Sequence, residues 1–174
     1  MNIACVLAEG FEDSELRIPV DALVRAGHDV VIVGEARGEE LVGKNGHEKV
    51  KADLGIEDAK GQRFDALLIP GGHSPDALRA DRRFVDFVSD IDKAGKPIFA
   101  VCHGPQLLIT AERVKDRKMT AWQTIQGDLQ KAGADVVDEQ VVIDGNLLTS
   151  RNPEDLQAFS EAAINMLASP SASH

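Results

Sequence analysis

Three short apolar runs constrain this chain more than anything else in it. Residues 3–8, 65–70 and 98–101 are nearly unbroken stretches of Ile, Leu, Val, Ala, Phe and Cys. They lack the alternation of a strand with one wet face, so each reads as a strand buried on both faces. Each also stops abruptly, at Glu9-Gly10-Phe11, at Gly71-Gly72 and at Cys102-His103-Gly104, and helix-like sequence follows. Strand, sharp turn and helix repeated in this way argue for an α/β fold with a parallel sheet covered on both faces. In open sheets of that kind ligands bind beyond the carboxyl ends of the strands. The three loops that follow these runs should therefore converge.

The remaining segments fit the same frame. A helix is expected from Glu12-Asp13-Ser14 to Gly27, with Leu16, Val20, Leu23 and Val24 on its inner face. Residues 30–33 form a second strand, and the Gly-rich, charged stretch 35–61 is expected as a hairpin or irregular excursion. Helical sequence runs from Pro75-Asp76 through Ile91 to Gly95, and a short helix spans 124–131. Late strands are expected at 136–137, 141–143 and 147–149, the last two joined by the turn Asp144-Gly145-Asn146. An amphipathic helix from Asn152-Pro153-Glu154 closes the domain. No repeat or linker divides the chain, so residues 1–168 are expected as one domain and 169–174 as a disordered tail.

Composition narrows the function. The net charge is −10 with no basic cluster, which disfavours nucleic acid as a partner. No run is long enough to cross a bilayer and the first residues carry no basic leader, so a cytoplasmic protein with no membrane partner is expected. Only Cys5 and Cys102 are present, neither at metal-type spacing, which fits a reducing compartment. There is no phosphate-binding glycine motif, and neither a metal nor a cofactor is expected.

Cys102 is the residue with chemistry. It stands where a strand turns into a helix, with Ala100 and Gly104 two places to either side. This is the layout of a nucleophile elbow, and the helix end behind it should favour the thiolate. Cys5, in mid-strand, reads as core. His103 adjoins the sulfur and could act as a base. His73, directly after the glycine pair, is a secondary candidate. The Gly71-Gly72 turn can aim a backbone N–H into the cleft and share an oxyanion hole with the residue after Cys102. The acids Glu9, Glu12, Asp13 and Glu15 crowd the first loop, and pattern does not choose among them.

These residues resemble the PfpI family, the intracellular-protease-like branch of the superfamily that includes class I glutamine amidotransferases. The resemblance runs through Gly10-Phe11-Glu12-Asp13-Ser14-Glu15-Leu16, the 64–72 strand and glycine pair, Gly95-Lys96-Pro97 and Cys102-His103-Gly104-Pro105-Gln106. It continues in Asp144-Gly145-Asn146 and Ser150-Arg151-Asn152-Pro153. It implies a flavodoxin-like three-layer sandwich with a mostly parallel central sheet. It also implies Cys102 as nucleophile, Glu12 hydrogen-bonded to the sulfur, and Gly72 and His103 amides as the oxyanion hole. The acid partner of His103 is implied at Asp76, where relatives often carry Glu, and it would come from a neighbouring subunit of a homodimer or hexamer.

Three activities are compatible with such a site. The first is a stress-protective glyoxalase III or protein deglycase that acts on methylglyoxal or its adducts without a cofactor. The second is an intracellular cysteine peptidase with a peptide substrate. The third is a sensor of oxidative stress, or a chaperone, that uses oxidation of Cys102.

Overall fold

The computed structural model describes residues 1–168, so the tail expected at 169–174 lies outside the described residues. In chain order the elements are β1 (Asn2–Val6), α1 (Asp13–Arg25), β2 (Asp29–Gly34), β3 (Glu40–Val42), β4 (Lys49–Lys51), β5 (Leu54–Gly55) and α2 (Ile56–Ala59). Next come β6 (Ala66–Ile69), α3 (Ser74–Arg79), α4 (Arg82–Lys93), β7 (Ile98–Val101), α5 (Pro105–Thr110) and β8 (Lys118–Met119). The chain ends with α6 (Gln126–Lys131), β9 (Asp135–Val136), β10 (Val142–Asp144), β11 (Leu147–Ser150) and α7 (Leu156–Ala168).

The central sheet has seven strands in the order β10-β11-β7-β6-β1-β2-β5. All neighbours are parallel except β10, which returns antiparallel beside β11 at the edge. The three apolar runs are thus adjacent interior strands, in register as Ala4↔Leu67 and Leu68↔Phe99. Strand alternation divides their side chains between two cores. Ile3, Cys5, Leu68, Phe99 and Val101 pack with Leu16, Leu23 and Phe159 of α1 and α7 on one face. On the other, Ala4, Val6, Leu67, Ile69 and Ala100 pack with Phe84, Val88 and Leu107 of α4 and α5. The arrangement is the helix–sheet–helix sandwich expected of buried strands joined by helical crossovers.

Three local expectations need correction. The helical stretch 75–95 is two helices, because Asp81 leaves helical geometry and its carboxylate accepts the Arg83 N–H at 3.0 Å, capping α4. In α1, Pro19 takes the buried position between Leu16 and Leu23, and Val24, expected inside, is 53% exposed. Residues 135–136 do not join the main sheet; β9 pairs with β8 in a separate two-stranded unit. The excursion at 35–61 is a hairpin, β3 with β4, followed by the edge strand β5.

Candidate active site

The three predicted loops meet at the carboxyl end of the sheet. The 10–12 loop and the 71–73 loop join through an isolated bridge between Phe11 and Gly72: the Glu12 N–H donates to the Gly71 carbonyl at 3.1 Å, and the His73 N–H to the Gly10 carbonyl at 2.9 Å. The elbow lies beside them. Cys102 has φ +63°, left-handed backbone that costs an L residue about 1–2 kcal/mol. It is held there from both sides. Its N–H donates to the Ser150 carbonyl at 3.0 Å, continuing the β7–β11 pairing, and its carbonyl accepts the Trp122 N–H at 2.9 Å. Gly104 is needed because a Cβ there would stand 2.6 Å from the Ile69 carbonyl oxygen.

The carboxyl group at the sulfur is that of Glu15, which corrects the placement of Glu12 there. Glu15 is fully buried, and its Oε1 accepts the Gly71 N–H at 2.8 Å. Gly71 makes this approach possible: a Cβ on it would overlap Glu15 Oε1 and stand 3.0 Å from both Cys102 Cβ and the His103 nitrogen. The second oxygen, Oε2, is buried without a hydrogen-bond partner, and the carboxyl group and the Cys102 side chain meet over Gly71. Burial pushes the Glu15 carboxyl up to about 8 against the opposing pull of the Gly71 amide, so it carries its proton at neutral pH.

Cys102 is itself nearly buried, at 7% exposure. Burial pushes its thiol up, and a charged Glu15 pushes it further; the His103 N–H and the Lys44 ammonium pull the other way. The expectation that a helix end would ionise the sulfur needs revision, since α5 is only six residues long and opens on Pro105, which has no N–H. Sulfur and carboxyl therefore form a coupled pair. With Glu15 protonated its repulsion of the thiolate disappears, and its O–H becomes a donor to the sulfur.

His103 Nδ1 lies 3.4 Å from Sγ, and the imidazole stacks on Trp122 with ring centroids 6.1 Å apart. Burial, and then Lys44 and His73, hold it below the usual histidine range, so it is neutral at pH 7. Glu12 faces the mouth of the site instead. Its carboxylate binds Lys44 Nζ at 2.9 Å and accepts from Asn45 Nδ2 and Ser14 Oγ at 3.2 and 3.3 Å. Asp76 stands on α3 with its side chain 69% exposed and is bonded to Arg79 at 2.8 Å rather than to His103. The Gly72 N–H has no protein acceptor among the described residues, and Gly72 has φ +80°. A cavity of about 360 Å³ lined by Leu7, Glu9, Glu35, Leu41, Ala77 and Phe84 lies on the α3 side of the first loop and does not include Cys102.

Sequence reasoning left Glu15 unchosen among the four acids of the first loop, and it missed Lys44 and Trp122. A signal for Glu15 did exist. It lies four residues before Pro19 and eight before Leu23, on the buried stripe of α1, where a carboxyl group needs a specific partner. Lys44 and Trp122 come from segments with no periodicity to place them. Among the described residues no three His, Cys, Asp or Glu side chains are grouped to hold a metal ion, and no helix is long and apolar enough to cross a membrane.

Residues 1–166 match the DJ-1/PfpI family. Protein/nucleic acid deglycase 2 of Escherichia coli strain K12 is 47% identical over 167 residues, which is 95% of this chain and 97% of that protein. General stress protein 18 of Bacillus subtilis strain 168 is also 47% identical, over 95% of this chain and 97% of its own length. Among solved structures, a two-domain protein of Anabaena variabilis with DJ-1/ThiJ/PfpI-like and ferritin-like domains superposes with a TM-score of 0.93 at 40% identity. The match covers 96% of this chain and 48% of that one. DJ-1beta of Drosophila melanogaster superposes with a TM-score of 0.90 at 26% identity, covering 98% of this chain and 92% of that one.

Proposed function

The chain belongs to the DJ-1/PfpI family, and from that premise we propose that it is a cysteine-dependent, cofactor-independent enzyme of the deglycase or glyoxalase type, acting on methylglyoxal or on its adducts with amines and thiols. The observation that carries this reading is a buried carboxyl group, Glu15, packed with Cys102 against Gly71 at a strained elbow. The deglycase name of the Escherichia coli relative supports the substrate class.

The chemistry needs one nucleophile and a group that can give and take a proton. The Cys102 thiolate attacks the aldehyde carbon of methylglyoxal, forming an S–C bond, and the carbonyl oxygen takes a proton from Glu15. With an aminocarbinol as substrate, the same attack expels the amine, which leaves with a proton. The hemithioacetal then loses its C1 proton to His103 or to the Glu15 carboxylate, and C2 gains one, giving a lactoyl thioester. Water hydrolyses the thioester to lactate and frees the sulfur. Methylglyoxal plus water equals lactic acid, so no external oxidant or reductant is required. The Gly72 and His103 amides face the oxygen that becomes charged during hydrolysis. In the same reading a second copy of the chain brings its exposed Asp76 to His103, and the active unit is at least a dimer.

A peptidase would need the Cys102 sulfur to attack an amide carbonyl with His103 as its base. A proton-bearing carboxyl at the sulfur suits carbonyl addition better than amide attack. The test is lactate release from methylglyoxal, and amine release from methylglyoxal-treated N-acetylarginine, without glutathione. Wild type should produce both at rates at least 10²-fold above Cys102→Ser, on the order of what a positioned nucleophile and proton donor contribute. Lactate at the level of the Cys102→Ser blank would reject the reading.

A further inference from the structure

The imidazole of His103 is placed to act as a base, with Nδ1 3.4 Å from the Cys102 Sγ. With its proton on Nε2, the neutral ring can accept the thiol proton at that atom. A base of this kind works only while its ring is held in orientation. Within one copy of the chain Trp122 supplies a contact suited to that task. The two rings stack with centroids 6.1 Å apart and planes 28° from parallel, inside the range of a favourable offset pair. Trp122 is itself firmly placed. Its N–H donates to the Cys102 carbonyl at 2.9 Å, so it grips the peptide that joins Cys102 to His103. Its own carbonyl accepts the Ile125 N–H at 3.0 Å. Two residues upstream the Thr120 N–H donates to the Thr149 hydroxyl of β11 at 2.9 Å, and the indole packs against both apolar cores.

We propose that Trp122 is a positioning residue for His103: its backbone N–H and its indole face together hold the imidazole at the Cys102 sulfur, where the ring takes the thiol proton as the sulfur attacks. The proposal deepens the reading of Cys102 as nucleophile and rests on it. The two contacts restrain different freedoms. The bond to the Cys102 carbonyl fixes where the His103 main chain leaves the elbow, and the stack fixes the side-chain torsion. A histidine free at χ1 would divide its time among staggered positions and leave the sulfur for part of it. Because both restraints come from one residue, sulfur and base keep a constant spacing. The stack acts inside one copy of the chain, whether or not a second copy brings an acid to the ring. Besides Cys102, the groups that act on the imidazole are Lys44 of the β3–β4 turn and His73 of the 71–73 loop.

The test reads the stack directly and needs no substrate. Trp122 is the chain's one tryptophan and there is no tyrosine, so ultraviolet emission comes from this indole. An imidazolium against an indole quenches its emission, and a neutral imidazole does so far less. Wild-type emission should therefore rise as pH is raised through the His103 titration, with a midpoint below the usual histidine range, and His103→Asn should lose that step. The second readout is alkylation of Cys102 by iodoacetamide at neutral pH, with Cys5→Ala as background so that one thiol is read. In that reaction an S–C bond forms, iodide leaves and the thiol proton passes to His103. Trp122→Leu should slow it about tenfold, while Trp122→Phe, which keeps an aromatic face, should stay within about threefold of the parent. Adding Trp122→Leu to His103→Asn should slow it no further, because nothing is left to position. Losses that multiply in the double variant would overturn the proposal, as would an unchanged rate in Trp122→Leu or a Phe variant as slow as Leu. If Trp122→Leu does not fold, the emission titration decides alone, and a profile without a step that depends on His103 overturns it. Neither readout involves lactate or amine release, so a chain without deglycase activity still returns both results and the two readings fail separately.

Discussion

The chain has two cysteines, both buried and both with thiols pushed well above the ordinary value, and they could hardly differ more. Cys5 sits in the middle of β1 among Leu68, Ile32 and other apolar neighbours, fully enclosed, and burial is the main cause of its shift. Cys102 is just past the end of β7, and around it are a carboxyl group, an imidazole, an ammonium group and open backbone amides. Burial alone makes a thiol inert. Burial next to a proton-bearing carboxyl group and an imidazole makes a thiol whose ionisation can be switched by its neighbours. The lesson is that reactivity here belongs to the strand end and its three loops, not to the residue type.

Exchanging the two positions breaks the comparison most sharply. Cys102→Ser should abolish iodoacetamide labelling under native conditions and reduce turnover to background, with the melting temperature little changed. Cys5→Ser should do the reverse, leaving native labelling and turnover within about twofold while destabilising the fold by about 1–3 kcal/mol, because it buries a hydroxyl in an apolar strand pair. Denaturant titration with native labelling in parallel measures both. Extensive native labelling at Cys5 would mean that the β1 core opens more readily than its packing implies.

Next in size is the contrast between the two acids of α1. Glu15→Gln removes the proton donor at the sulfur but keeps an acceptor for the Gly71 amide, so turnover should fall by about 10²-fold or more and the thiol midpoint should move down as the repelling charge goes. Glu12→Gln should cost about tenfold or less, because its carboxylate is paired with Lys44 at the mouth. Steady-state rates with ultraviolet thiolate titration test the order; a larger loss at Glu12 would restore the placement implied by family resemblance.

The smallest effect is on stability. Glu15 is held at about 8 against its ordinary 4.5, so the folded state keeps a proton that the unfolded chain has lost. That contribution is fully present below about pH 4.5 and is lost as pH rises toward 8. The melting temperature of wild type relative to Glu15→Gln should therefore decline between pH 5 and 8. A difference independent of pH would mean that Glu15 is already ionised in the folded protein.

The sheet was legible because its central strands are apolar on both faces, and nothing else in the chain imitates that pattern. Cys102 was legible for a related reason: a cysteine between Ala100 and Gly104 at a strand-to-helix corner has few other uses. The acid was not. Glu9, Glu12, Asp13 and Glu15 lie within two helical turns, and their tasks are set by what other segments bring. Glu9 takes the Val42 N–H, Glu12 takes Lys44, Asp13 takes the turn amides, and Glu15 takes the Gly71 N–H beside Cys102. Local periodicity carries no record of these tertiary partners. The break between α3 and α4 was missed for a smaller reason, since Asp81 before a helical run is a cap signal hidden inside a longer apolar period.

The left-handed backbone at residue 102 sets reactivity against endurance. A glycine there would adopt φ +63° freely, and Cys102→Gly should outlast Cys102→Ala by about 1 kcal/mol in thermal denaturation. The fold would then gain by giving up the very atom it is bent to present, and the conformation the sulfur needs is a standing charge against the survival of the molecule.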